Sequence, residues 1–154
     1  MRLFKVKSVK KMMSGLLINN VFDEFLLNSL KLTTMVEYEI DGTYNKLWGD
    51  YDNQYIRWKD IKPMVYELIK GNKTPTRIKA IMIAPINNML GGIESGLPSE
   101  QDDYVLNIKY ENDELAITSA VSYKTFSLDR SKEKAWDDKV EKLLVNNDIE
   151  FETI

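Results

Sequence analysis

The chain has no cysteine and no histidine. These absences remove a great deal of chemistry. No disulfide can staple the fold, no thiolate can act as a nucleophile, and neither a Ser-His-Asp arrangement nor an imidazole base can be assembled. The usual zinc ligand sets go with them. Glycine and proline are scarce, at seven and four of 154 residues, and no repeat or low-complexity tract is present. Long apolar runs are missing too. The longest near the start is Leu16-Leu17-Ile18, too short for a signal-peptide core, and no later segment approaches membrane-spanning length. Together with the lack of cysteine, this points to a cytoplasmic protein with no membrane partner. Any catalysis would have to rest on Asp, Glu, Lys, Tyr, Ser, Thr or Arg.

What remains has a globular composition, with 44% apolar and 29% charged residues. A chain of this length buries about 70% of its unfolded surface, so it needs no metal or disulfide. Residues 1–154 are expected to form a single α+β domain. The net charge of −3 is unevenly spread. Residues 1–22 carry +5 and residues 57–79 another +5, against −5 for residues 23–56 and −8 for residues 80–154. If the two basic segments meet in space, an acidic protein acquires a positive face.

The stretch from Trp58 to Arg77 organises the chain. Trp58, Ile61, Met64, Val65, Leu68 and Ile69 share one helical face. Asp60 is placed as the cap, which puts Pro63 in the first turn, and Gly71 as the stop. Lys73-Thr74-Pro75-Thr76-Arg77 then leads into Ile78 to Ala84, a run too continuous for a surface strand. Before it, Arg2 to Lys7 alternates as a strand. Ser8 is placed to cap a helix with Val9, Met12, Met13, Leu16 and Leu17 on one stripe. Phe22 to Leu30 fits either period. Leu32 to Ile40 alternates as one strand, and Asp41-Gly42 is expected as a type I′ turn into a return strand from Thr43 to Trp48. Pro85 to Leu90 suits one or two helical turns, followed by a loop to Asp103. Tyr104 to Tyr110, a turn at Asn112-Asp113, Leu115 to Val121 and Ser122 to Leu128 spell an antiparallel meander. Asp129 or Ser131 caps a last helix, with Trp136, Val140, Leu143 and Leu144 inward and an Asp138–Lys142 pair outside. Ile149 to Ile154 is a terminal strand or a frayed end. The sum is an antiparallel-dominated sheet with three main helices.

Several blocks carry a resemblance. They are Phe22-Asp23-x-Phe25-Leu26, Ile40-Asp41-Gly42, Ile69-Lys70-Gly71-x-Lys73-Thr74-Pro75, Phe126-Ser127-Leu128-Asp129 and Ala135-Trp136-Asp137. With these the chain resembles a family of short bacterial proteins known only as a domain of unknown function. The family brings no established activity, so it implies no catalytic residue. The order of elements is also similar to one domain of a DNA sliding clamp, whose two helices would here carry Lys10, Lys11, Lys59, Lys62 and Lys70.

Four groups of residues are candidate sites. Lys10, Lys11, Lys62, Lys70, Lys73 and Arg77 could bind a polyanion through charge and counterion release, nucleic acid included. Charge that merely solvates helix faces explains them more simply. Trp48, Tyr51 and Tyr55 could contact a partner or ligand, as interface aromatics do, or anchor a long loop. The pairs Asp50/Asp52, Asp102/Asp103 and Asp137/Asp138 could serve a carboxylate-metal hydrolase, but they lie on different elements. Gly91-Gly92-x-x-x-Gly96 lacks the Lys-Ser/Thr of a phosphate loop. No motif calls for a metal or a cofactor. The balance favours a binding or assembly module, with an unknown protein among its candidate partners, over an enzyme.

Overall fold

The computed structural model describes residues 1–71, 73–85, 102–126 and 128–154. The elements run β1 (Arg2–Val6), α1 (Val9–Leu17), β2 (Leu26–Thr33), β3 (Glu37–Asp41), α2 (Trp58–Ile69), β4 (Arg77–Ile83), β5 (Asp103–Glu111), β6 (Glu114–Ser122), α3 (Ser131–Asn146) and β7 (Phe151–Thr153). The strands form one seven-stranded sheet, ordered β3-β2-β4-β5-β6-β1-β7. Every pairing is antiparallel, so the α+β expectation holds.

Period-two alternation decides what each face of the sheet carries. Phe4, Leu30, Leu32, Ile78, Ala80, Leu106, Ile108 and Ile117 are buried in one core. The buried apolar side chains of all three helices, including Met12, Leu16, Val65, Trp136 and Val140, belong to the same core. The intervening strand positions face the other way and hold exposed lysines: Lys5, Lys31, Lys79 and Lys109. One face is therefore covered and the other open. The Ile78 to Ala84 run is central in the sheet yet packed on one side, since Lys79 is exposed between buried Ile78 and Ala80.

Several local expectations give way. The Leu32–Ile40 alternation is not one strand. The chain turns at Thr34–Val36, where the Thr34 N–H donates to the Val36 carbonyl at 2.9 Å, and β3 folds back on β2. The same alternation continues through both strands, so period alone hides the break. Asp41-Gly42 is not a hairpin turn. Gly42 is needed because a Cβ there would lie 1.7 Å from the Leu27 carbonyl oxygen, beside the irregularity between Leu27 and Ser29. Leu26, at the ambiguous Phe22–Leu30 stretch, begins β2.

α2 starts at Trp58 rather than Asp60, because Trp58 and Lys59 donate their free N–H groups to the carbonyls of Phe25 and Asp23, at 2.7 and 3.1 Å. Pro63 therefore falls inside the helix. Gly71 follows at φ +145°, a conformation open to glycine. Ser8 precedes α1, but its hydroxyl accepts the Glu150 N–H at 2.8 Å instead of capping the helix. Asn112 and Asp113, at φ 55° and 62°, form the expected two-residue turn between β5 and β6.

No strand forms at Tyr123–Phe126, and Ser127 lies outside the described residues. The strand beside β6 is β1 instead. The Pro85–Leu90 turns, from residue 86 on, and the Gly91-Gly92 segment also lie outside the described residues. Asp129 accepts the Ser131 N–H at 2.9 Å, and Asp138 pairs with Arg2 rather than Lys142. The terminal strand forms as β7 on the edge of β1.

Candidate binding groove

α1 and α2 lie against each other on the covered face, and polar contacts pin them at one end. The Trp58 indole N–H donates to the Leu16 carbonyl at 2.7 Å, satisfying a carbonyl that the end of α1 leaves free. Lys62 donates to the Asn19 carbonyl at 2.9 Å and pairs with Asp23. At the other end the helices leave a groove of about 740 Å³. Val9, Lys10 and Met13 line it from α1, and Tyr66, Ile69 and Lys70 from α2. Lys73-Thr74-Pro75 and the Tyr110 and Asp113 side of the β5–β6 turn close it.

The floor is apolar: Val9, Met13 and Ile69 are partly buried and rest on the core. The rim is cationic. Lys10 and Lys73 are exposed and make no ion pair among the described residues. Lys70 pairs with Glu67 at 2.6 Å, and that hydrogen bond and charge raise its pKa above the ordinary lysine value. The Tyr110 hydroxyl donates to Asp113 at 3.1 Å. Burial, then that bond and the carboxylate's charge, hold its pKa above the ordinary tyrosine value. The groove thus combines fixed positive charge, phenolic and hydroxyl hydrogen-bonding groups, and an apolar bed, within the usual size range of ligand sites.

Of the six basic residues singled out from sequence, Lys10, Lys70 and Lys73 converge here. Lys11 faces Asp148 at 3.8 Å in a different depression. Lys62 is committed to Asp23 and Asn19. Arg77 stands on the open face of the sheet, between Thr33 and Glu111. The two basic segments therefore do not make one face. Lys10, Lys70 and Lys73 reach the groove, while strand alternation sends Lys5, Arg77 and Lys79 to the opposite side.

Tyr51 stacks on Tyr44 with centroids 3.9 Å apart and planes 3° apart, and Tyr55 bridges to Thr43. Both brace their own loop. Trp48 projects beside Leu47, at 83% and 97% exposure, as an apolar tip. The carboxylates do not gather. Asp102 accepts the Lys124 N–H and pairs with Lys132, both at 2.9 Å. Asp137 is buried against the Ser119 hydroxyl and the N-terminal ammonium. Among the described residues no three carboxylates come within reach of one metal ion. No helix among them is long and apolar enough to cross a membrane.

Tyr66, Tyr110 and Asp113 were not singled out from sequence. Tyr66 carried a usable signal, as an aromatic ring off the apolar stripe of its helix. Tyr110 and Asp113 enter only through the fold, which brings the end of β5 beneath α1.

No curated protein and no solved structure matches the chain, so the likeness to a sliding-clamp domain draws no support from either. The Lys70-Gly71-x-Lys73-Thr74-Pro75 block that carries the family resemblance builds one wall of the groove. A family model matches residues 15–152 of the 154-residue chain, and the protein belongs to that family, DUF5721, a family of unknown function.

Proposed function

We propose that the protein is a non-catalytic binding module whose groove between α1 and α2 takes a small ligand with an anionic group on an apolar body. The observation that carries this reading is the convergence of Lys10, Lys70 and Lys73 over a floor of Val9, Met13 and Ile69. Cations alone would suit any anion, and the apolar floor adds a demand for hydrocarbon or a ring. A nucleic-acid track is the weaker fit. It needs a long line of free cations, and two of the lysines that would extend the rim, Lys11 and Lys62, face Asp148 and Asp23. A chain without cysteine suits the cytoplasm as the setting.

Thermal unfolding in the presence of hexyl phosphate, inorganic phosphate or a single-stranded oligonucleotide tests the proposal. A ligand that binds only the folded state adds about 1.4 kcal/mol of stability at ten times its Kd. Hexyl phosphate should raise Tm and inorganic phosphate should do so far less. The rise should vanish in Lys10→Glu/Lys73→Glu, which touches no buried contact. Equal effects of the two phosphates would remove the apolar part of the proposal. No effect of hexyl phosphate at millimolar concentration, or stronger stabilisation by the oligonucleotide, would overturn it.

A further inference from the structure

The open face of the sheet carries charge that the groove does not use. Strand register places Lys31 opposite Lys79, and Lys79 opposite Lys109. Lys109 and Lys5 both pair with Ala116 from its two sides. Glu39 pairs with Lys31 at one end, and Glu152 with Lys5 at the other. One row across the sheet therefore reads Glu39, Lys31, Lys79, Lys109, Ala116, Lys5, Glu152. All four lysines are exposed.

Like charges directly opposite on neighbouring strands destabilise a sheet. Compensation is incomplete, and part of it comes from the next row, where Glu111 stands opposite Arg77 and Glu114. Lys31 reaches Glu39 at 3.3 Å, and Lys109 reaches Glu111 at 3.5 Å. Lys79, between them, makes no ion pair among the described residues. Arg77 stands one row away on the same face.

We infer that this face docks a short acidic segment of a partner protein, laid across the strands along the lysine row. Neighbouring strands lie about 4.8 Å apart, so Lys31 to Lys5 spans about 19 Å. An α-helix of about 13 residues covers that length, and its successive turns, about 5.4 Å apart, bring acidic side chains into near step with the strands. The acids at both ends bound the length. A long phosphodiester chain on the same line would run onto Glu39 or Glu152. The half-buried positions beside the row, such as Ser29, Asn107 and Thr118, supply no aromatic ring on which a base could stack. A second copy of this chain fits poorly. Turning the row over onto itself sets Lys109 against Lys109, and laying it side by side sets each residue against its own kind.

The test is fluorescence anisotropy of a labelled Ala/Glu helical peptide of about 13 residues, at low and high salt, with chemical-shift mapping on the full chain. The peptide should bind at low salt, weaken at high salt, and shift the amides of β1, β2, β4 and β5. Lys31→Gln/Lys79→Gln/Lys109→Gln should weaken it at least tenfold while leaving Tm no lower. Lys10→Glu/Lys73→Glu should leave it intact, which separates this surface from the groove. Absence of binding at low salt, unchanged affinity in the triple variant, shifts confined to the groove, or tighter binding of a single-stranded oligonucleotide would each overturn the inference.

Discussion

Replacing Lys79 with glutamate should make the protein more stable, although it touches no buried group. Lys79 stands directly between Lys31 and Lys109. Two ammonium groups about 6 Å apart in water repel by about 0.7 kcal/mol. Lysine arms move and salt screens, so the two repulsions together cost on the order of 0.5–1 kcal/mol. Lys79→Glu turns both into attractions, for a net gain of about 1 kcal/mol, or about 2–4 °C in Tm for a chain of this size. Lys79→Gln, which only removes charge, should gain about half as much. Thermal unfolding followed by circular dichroism at low salt and at about 1 M NaCl, where the Debye length is about 3 Å, separates charge from strand propensity. The gain should shrink at high salt. A lower Tm for Lys79→Glu at low salt, or a gain that survives high salt unchanged, would refute the reasoning. The same variant should lose the acidic peptide, so stability and docking move in opposite directions.

Three further outcomes follow from the fold. Gly42→Ala forces a Cβ onto the Leu27 carbonyl oxygen and should cost about 3 kcal/mol or more, read from urea unfolding. Trp58→Phe leaves the buried Leu16 carbonyl without its indole donor and should cost about 1–3 kcal/mol, whereas Trp48→Phe at the exposed tip should stay within about 0.5 kcal/mol. Lys7 donates to Glu152 at 2.8 Å, and that hydrogen bond and charge lower the Glu152 pKa. A depressed carboxylate stabilises above its ordinary value and loses that contribution as pH falls through the depressed one. The protection factors of the β7 amides, with the intrinsic slowing of exchange in acid divided out, should therefore fall on the acid side, and Lys7→Gln should flatten that dependence.

Much of the fold was legible in the residues, because hydrophobic period and turn chemistry are local. α1, α2, α3, β5 and β6 follow their apolar spacing, and Asn112-Asp113 tolerates the positive φ its turn requires. The failures have physical causes. Thr34 to Val36 keeps the alternation of its flanks, so the turn between β2 and β3 is silent. Gly42 marks a close approach of two backbones distant in sequence rather than a turn. Of the groove, Lys10, Lys70 and Lys73 could be named as basic residues, but their meeting depends on α1 and α2 running antiparallel. The lysine row was further from view. Lys31 and Lys109 fall in segments whose net charge is acidic, and only strand register aligns them with Lys79 and Lys5.

Chemical-shift mapping with hexyl phosphate tests the groove most directly. Saturable shifts of the Lys10, Met13, Tyr66, Lys70 and Lys73 amides, lost in Lys10→Glu/Lys73→Glu, are the expected result. Unshifted amides at millimolar hexyl phosphate, or shifts spread over Lys31, Lys79 and Lys109 instead, would contradict the account.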